Sequence, residues 1–399
     1  MRWSDELWQT PFETESTTRV VYGCGVVQRL GELVRTLPGE RLLLVTDPGI
    51  EQAGHITRCV QVLQAAGYTP VIFDQVQPNP TTDDVERGVA VAQRAQIELL
   101  IAVGGGSAMD CAKGINFLYT NGGKMADYWG TGKARLPMLP MIAVPTTAGT
   151  GSEAQSYALI ADARTHQKMA CGDKKAACRI ALLDPELTLS MPPRVTSATG
   201  LDAISHAVES YVTRRRHAWS QMLSRRAWQL LAQSFPRVLA DPQSLAARSG
   251  MLLGAHWAGA AIENSMLGAA HALANPLTAH FDITHGWAVA VMLPHVVRYN
   301  GRVCPEEYAE LAADLPPNAV HALDDAVETL AQWLQRVAYQ AGCPPNLRSW
   351  GVTERDLPLL AAEAARQWTG SFNPRPVDAP RLEELYRCAL DACPPSLDS

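Results

Sequence analysis

IELLIAVGGGSAMDCAKGI, residues 97–115, reads as a strand, a glycine turn and a helix in immediate succession. Leu99 to Val103 is an unbroken apolar run, the pattern of a buried strand. Gly104, Gly105 and Gly106 let the backbone turn tightly and bring its N–H groups close to a bound group. Ser107 comes next, at the start of a helix whose first N–H groups and dipole favour a phosphate. The turn is neither G-x-G-x-x-G nor a P-loop, since no Lys-Ser/Thr follows the last glycine at the required place. Taken alone, it is equally the corner of an ordinary strand–helix unit.

The same unit recurs on both sides. RLLLVTDPGI, residues 41–50, is an apolar strand, and a helix extends from about 51 to 66. TPVIFDQV is the next strand, after which Asp83 or a neighbour caps a helix running to Arg94. MIAVPTTAGTGSE, residues 141–153, is a further buried strand that runs into a Gly/Thr loop. Upstream, residues 17–27 read as strands around a glycine turn, with a short helix over 28–37. Strands alternating with helices predict an α/β domain with a parallel, doubly wound sheet. The alternation stops near Met191-Pro192-Pro193. Beyond it, Ala/Leu-rich helical stretches occupy 195–214, 217–239, 243–273, 320–341, 353–369 and 380–391. The expected division is therefore an α/β domain over 1–193 and an all-α domain over 194–399.

Length and composition bound the function classes. A chain of 399 residues suggests two or three domains, and 47% hydrophobic with 19% charged residues is an ordinary soluble balance. The net charge is −6, and Arg214-Arg215-Arg216 is the sole short basic tract, read as a solvated helix face. That argues against nucleic acid or a membrane surface as partner. No apolar stretch at the N-terminus resembles a secretory signal, and no apolar run is long enough to span a bilayer. Nine cysteines with no C-x-x-C pair fit a reduced, cytoplasmic chain.

Two sets of residues carry chemistry. Asp47 comes just after the strand over 41–46. An acidic residue there can accept from both ribose hydroxyls of an adenosine and repel a 2′-phosphate, favouring NAD over NADP; it is also a suitable turn residue before Pro-Gly. The loop Pro145 to Glu153 offers hydroxyls and flexible backbone to the same dinucleotide. The second set lies in the helical half. Asp202 and His206 are four apart and share one helix face. His271 and His285 are fourteen apart with Pro276 between them, which argues against one straight helix and for two elements that converge. One carboxylate with three imidazoles suits Fe(II), Zn(II) or Mn(II). An Asp-x-x-x-His pair is also a common surface or core pair, so spacing alone does not decide.

Together these stretches resemble the iron-containing (group III) alcohol dehydrogenases. The matching pieces are GGGSAMDCAK at 104–113, PTTAGTGSE at 145–153, ALLDPELTLSMPP at 181–193 and GLDAISHAVESYV at 200–212. The His271 to Pro294 segment, GCPPNLRSWGV at 342–352 and TGSFNPRP at 369–376 also match. They span nearly the whole chain in order. The resemblance implies a Rossmann-like NAD(P) domain and a helical metal domain, with the active site between them. It implies Asp202, His206, His271 and His285 as metal ligands. It implies Gly104, Gly105, Gly106 and Ser107 as the pyrophosphate loop and Asp47 as the ribose carboxylate. Asp110 is placed near the nicotinamide with Lys113 on the same helix, Thr146, Thr147 and Thr150 line the cofactor site, and Lys168 reaches a ribose. One departure stands out. Family members commonly read His-x-x-x-His-Pro after the third ligand, and here Asn275 replaces the second histidine. Asparagine cannot relay a proton but can hydrogen-bond water or a substrate hydroxyl.

A divalent ion beside a nicotinamide predicts one reaction: the ion acidifies an alcohol or polarises an aldehyde while hydride passes to or from the ring. The resemblance favours Fe(II), although affinity order allows Zn(II) in isolated protein. It also implies a homodimer, with no nucleic-acid or membrane partner. Ile262, Asn264, Trp368 and Tyr157 are candidate pocket-wall residues, which would suit a small primary alcohol or aldehyde. Two alternatives remain at this point. One is a dehydroquinate-synthase-like lyase using NAD and a metal, although no basic cluster for an acidic substrate accompanies the ligand stretches. The other is a non-catalytic nucleotide- and metal-binding protein.

Overall fold

Leu42–Val45, Leu99–Gly104 and Met141–Pro145 are wholly buried strands, and their side chains alternate between two cores. Leu43, Val45, Leu100, Ala102, Met141 and Ala143 enter one hydrophobic cluster. Leu42, Leu44, Leu99, Ile101, Val103, Ile142 and Val144 enter the other. A sheet with apolar residues on both faces must be covered on both, and it is. Helices Thr82–Ala95 and Gly106–Asn121 close the first face through Val85, Ala92, Met109, Ala112 and Ile115. Helices Leu30–Val34 and His55–Ala65 close the second through Leu30, Leu33, Ile56, Cys59 and Leu63.

These relations come from a computed structural model of the chain, which describes residues 12–13, 18–165, 167–317 and 325–392. Numbered in chain order, the strands are β1 Arg19–Tyr22, β2 Leu42–Val45, β3 Val71–Phe73, β4 Leu99–Gly104, β5 Gly130–Thr131, β6 Met141–Pro145, β7 Tyr157–Ala161, β8 Lys168–Gly172 and β9 Ile180–Leu183. Six form one parallel sheet in the order β1-β9-β6-β4-β2-β3. The three others form a small sheet, β5-β8-β7, that the sequence pattern does not announce. Among the described residues, contacts divide the chain into two compact units, 18–191, and 192–392 with residues 12–13. The first is the parallel α/β unit and the second is helical, so the fold class expected from the alternation pattern is the one observed.

Several expected elements are corrected. Residues 19–22 form one strand, and its glycine turn leads into a 3-10 turn over Val26–Arg29 rather than a second strand. The helix expected over 51–66 is two, Pro48–Gln52 and His55–Ala65, broken at Gly54, whose φ of 80° is left-handed. The cap expected at Asp83 or a neighbour is Thr81, in a reciprocal box with Asp84. The stretch 243–273 divides into Leu245–Ser265 and Ala269–Phe281, because Met266 takes a φ of 70°. Pro276 lies inside the latter helix; the break between His271 and His285 falls at Asp282, with φ 51°. Helices His285–Asn300 and Pro305–Ala313 were not expected. Of the helix expected over 320–341, residues 320–324 lie outside the described residues, and the helix there is Ala326–Gln340.

The helical unit is built around Pro193–Val212, of which nearly every residue from Thr196 onward is buried. One close approach positions its chemistry. A Cβ on Gly286 would stand 1.9 Å from the carbonyl oxygen of Ala198. Only glycine lets the His285–Asn300 helix come this near to the helix bearing Asp202.

Candidate functional site

In the α/β unit, β4 ends at Gly104 with φ 153°, and Gly105 stands at the N-cap of Gly106–Asn121 without a side-chain cap. The first N–H groups of this sixteen-residue helix are thus left to an outside acceptor. Threonines crowd the turn from the loop after β6. A Cβ on Gly105 would stand 3.2 Å from Thr147 Oγ1, and one on Gly106 2.7 Å from Thr150 Cγ2. Side chains would fill this cradle, so its backbone remains open only as glycine. Thr146 is buried, its Oγ1 makes no hydrogen bond, and its N–H bonds Gly104 O at 2.9 Å. Ser107 Oγ accepts the Asn79 N–H at 3.3 Å.

Asp47 sits against the same turn. Its Oδ1 caps Pro48–Gln52 by accepting from Gly49 N at 3.0 Å and Ile50 N at 3.2 Å. Its Oδ2 lies 3.5 Å from where a Gly104 Cβ would be. Asp110, one turn into the glycine-led helix, is buried and accepts the Ser152 hydroxyl at 2.7 Å. Lys113 Nζ donates to Ser152 O at 2.7 Å, Ser152 Oγ at 2.9 Å and Tyr157 O at 2.9 Å. Burial pushes the Asp110 carboxyl upward, with Lys113 and Ser152 opposing. Lys168 is exposed at the start of β8 and near enough to Asp110 to act on its charge. The Asp110–Ser152–Lys113 connection fastens the threonine loop to the glycine-led helix, a role that sequence reasoning missed at Ser152.

In the helical unit, Asp202 and His206 project from one face of Pro193–Val212, as their spacing requires. His271 lies in Ala269–Phe281 and His285 opens His285–Asn300. Asp202 Oδ1 is 3.4 Å from His206 Nε2, 3.5 Å from His271 Nε2 and 3.9 Å from His285 Nε2. One ligand atom each from Asp202, His271 and His285 lies within 4.8 Å of the others; His206 adjoins this group through Asp202, with its ring stacked 4.9 Å from His271. Burial would raise the Asp202 carboxyl, but the three imidazoles outweigh it and hold it well below the usual range. Burial would likewise lower His271, but Glu209 and Asp202 outweigh it and push the ring up to about 9.

The residues present fit a metal ion. Among the described residues, Asp202 Oδ1 and His271 Nε2 are buried and have no hydrogen-bond partner, a costly state for two polar atoms. Two ligands about 2.1 Å from a common ion stand about 3.4 Å apart at a tetrahedral angle. The Asp202 to His206 and His271 separations match that spacing and are too long for strong hydrogen bonds.

Glu209 is the residue that sequence reasoning overlooked. It completes an Asp202, His206, Glu209 stripe at i, i+4 and i+7, a signal legible in GLDAISHAVESYV. Its Oε2 meets His271 Nδ1 at 2.5 Å. Asn275 donates from Nδ2 to Gln367 Oε1 at 3.0 Å, so its amide is already engaged. Of the pocket-wall candidates, Ile262 is buried, Asn264 bonds the Ala260 carbonyl one turn back, and Trp368 is 43% exposed and edge-on to Phe372. Tyr157 packs its ring over Gly172 and its hydroxyl lies 3.3 Å from Thr131 Oγ1.

Comparison with known proteins gives the same direction. The family model for iron-containing alcohol dehydrogenase matches residues 17–185, and that for the C-terminal part of the Fe-containing alcohol dehydrogenase family matches residues 196–390. The chain is 34% identical over 373 residues to the 1,3-propanediol dehydrogenase of Klebsiella pneumoniae, covering 92% of this chain and 96% of that protein. It is 32% identical over 372 residues to the NAD-dependent methanol dehydrogenase of Bacillus methanolicus, covering 93% and 97%. A crystal structure of 1,3-propanediol oxidoreductase superposes with a TM-score of 0.89 at 34% identity, covering 93% of this chain and 97% of that one. No helix among the described residues is long and apolar enough to cross a membrane. With both units matched along almost their full lengths, the chain belongs to the iron-containing alcohol dehydrogenase family, oxidoreductases of alcohols and aldehydes that use a nicotinamide cofactor.

Proposed function

We propose that this chain is an Fe(II)- and NAD-dependent dehydrogenase of small primary alcohols, reversible on the matching aldehydes, with Asp202, His206, His271 and His285 as its metal ligands. The observation that carries the reading is Asp202 Oδ1, buried, unbonded and faced by three imidazole nitrogens within 3.9 Å. When bound, the metal supplies a Lewis acid for the substrate oxygen and the nicotinamide takes or gives hydride. The chain's own residues do the rest. Asp202 contributes the single negative charge of the ligand set. Gly104, Gly105, Gly106 and Ser107 offer backbone N–H groups to the cofactor's pyrophosphate, and Thr146, Thr147 and Thr150 shape that cradle. Lys168, exposed at the start of β8, is the proposed ribose contact. Asp110 accepts the Ser152 hydroxyl and is the proposed carboxyl near the nicotinamide.

Asp47 Oδ2 beside Gly104 supports NAD over NADP, since a carboxylate there repels a 2′-phosphate. The relative from Bacillus methanolicus is described as NAD-dependent. Asn275, held by Gln367, can orient a hydroxyl or water but holds no transferable proton. The proton therefore leaves by solvent or by another group. Small substrates suit the relatives named for methanol and 1,3-propanediol. A homodimer is supported by β1, the edge of the six-stranded sheet, where Val20 and Tyr22 are each 43% exposed. A division near Pro193 and a cytoplasmic setting complete the reading, the latter in keeping with eight free cysteines among the described residues.

The test is protein purified without oxygen, loaded with Fe(II), and assayed with NAD on a series of short primary alcohols. His271→Ala should lower alcohol-dependent NADH formation by orders of magnitude while NADH binding survives. Unchanged turnover in that variant would remove the metal from the mechanism.

A further inference from the structure

Glu209 is only 3% exposed and lies seven residues after Asp202 on the same helix face. Both its oxygens meet donors from a different helix. Oε1 accepts the Ala270 N–H at 2.7 Å, and Oε2 meets His271 Nδ1 at 2.5 Å. We propose that Glu209 is a positioning residue, holding the ring proton of His271 on Nδ1 and so turning Nε2, as a lone pair, toward Asp202 and the metal. The proposal rests on the reading of His271 as a ligand.

A carboxylate only accepts hydrogen bonds, so the nitrogen that faces it carries the hydrogen. With a metal bound the ring is neutral and its one lone pair is at Nε2. That atom is buried, makes no hydrogen bond, and stands 3.5 Å from Asp202 Oδ1, itself a pure acceptor. Metal-binding histidines are oriented in this way by outer carboxylates.

The second oxygen explains why the ring is at the right height. Ala270 N–H is one of the groups left open at the start of Ala269–Phe281, whose N-cap residue, Gly268, provides no side chain. Gly268 has no room for one: a Cβ there would stand 2.9 Å from Glu209 Oε1 and 3.0 Å from Asn373 Oδ1. Glu209 thus stands in for the missing cap from a neighbouring helix. Asn373 Oδ1 accepts the Ala269 N–H at 3.2 Å and is tied to Asn300 by reciprocal amide bonds of 2.8 and 3.0 Å. It supports the same helix end without touching the ring, which makes it the control.

Glu209→Gln is close to isosteric, but its amide offers one acceptor where two donors converge. Either Ala270 N–H or His271 Nδ1–H then faces an NH2 group, and moving the ring proton to Nε2 relieves the clash. In the full chain, Zn(II) affinity measured by competition with a chromophoric chelator should fall about 10- to 100-fold. In 15N-histidine spectra of the zinc-loaded protein, the Nδ1-bound proton of His271 should be present in wild type and lost in the variant. Asn373→Ala should lower the thermal midpoint and leave zinc affinity unchanged. An equal affinity loss in Asn373→Ala, or unchanged affinity in Glu209→Gln, overturns the proposal. If Glu209→Gln does not fold, the wild-type spectrum decides: a His271 ring without a proton on Nδ1 overturns it. His271→Ala separates the two readings. Full zinc retention there removes the ligand assignment itself, whereas loss there with retention in Glu209→Gln removes only the role of Glu209.

Discussion

Asp47 caps a helix through Oδ1 and, in the proposed reading, faces the adenosine ribose through Oδ2, and substitution can separate the two. Ser at position 47 retains an N-cap acceptor for Gly49 and Ile50 but removes the charge. Asp47→Ser should therefore cost little stability yet raise activity with NADP roughly tenfold or more, because like-charge juxtaposition costs several kcal/mol. Asp47→Ala should show the same cofactor change with a further loss of about 1 kcal/mol from the missing cap. Comparing kcat/KM for the two cofactors with urea midpoints checks both. Asn275 bears a separate prediction. Its bond to Gln367 contains no group that titrates near neutrality. Asn275→His should add an inflection near pH 6–7 to the kcat profile, and an unaltered profile would show that protons travel elsewhere.

Secondary elements were legible where their signal is local. The apolar runs at 42–45, 99–103 and 141–144 bury residues on both faces, and such runs have no other stable home than the middle of a parallel sheet. The i, i+4 spacing placed Asp202 and His206 on one face because Pro193–Val212 is an unbroken helix. The features that were not legible depend on distant partners. Met266 ends a helix at a positive φ that its residue type does not announce, and Asp282, a type that tolerates the left-handed region, does so without a glycine to mark it. Pro276 looked like the break and is not, since the helix accommodates it in its interior. The short strands β5, β7 and β8 form a small sheet of their own, with one bridge from Ala161 to Thr81, and their pattern is too brief to stand out. Glu209 was in view but silent, because its partner His271 lies 62 residues away. Gly286 was equally silent, its requirement being the Ala198 carbonyl. Gly286→Ala should push the two helices apart, destabilise the protein by about 1–3 kcal/mol as overpacking does, and weaken metal retention. Calorimetry together with metal analysis of the purified variant checks both.

Across the whole molecule, ligand binding and pH act through linkage. Metal at about 100 times its dissociation constant should stabilise the folded chain by about 2.7 kcal/mol, read as a fall in thermal midpoint when a chelator is added. Acid acts at His295, whose ring is pushed down to about 4 by burial first and by Arg298 second. The unfolded chain binds that proton near pH 6.5 and the folded chain only near 4, so stability drops as pH falls through this window. The loss should approach about 3 kcal/mol at its foot, and His295→Gln should flatten it in pH-dependent urea melts of metal-free protein. The three imidazoles around Asp202 are also unequal. His285 is 26% exposed at the side chain against 7% for His206 and 5% for His271, and it alone opens its helix. The positive end of a helix dipole works against a neighbouring cation, and water can compete at an open ring. In the proposed metal centre His285 is thus the ligand expected to loosen first, which would open the centre to exchange from one side while the enclosed pair keeps the hold. An organism could load or strip such a protein without unfolding it.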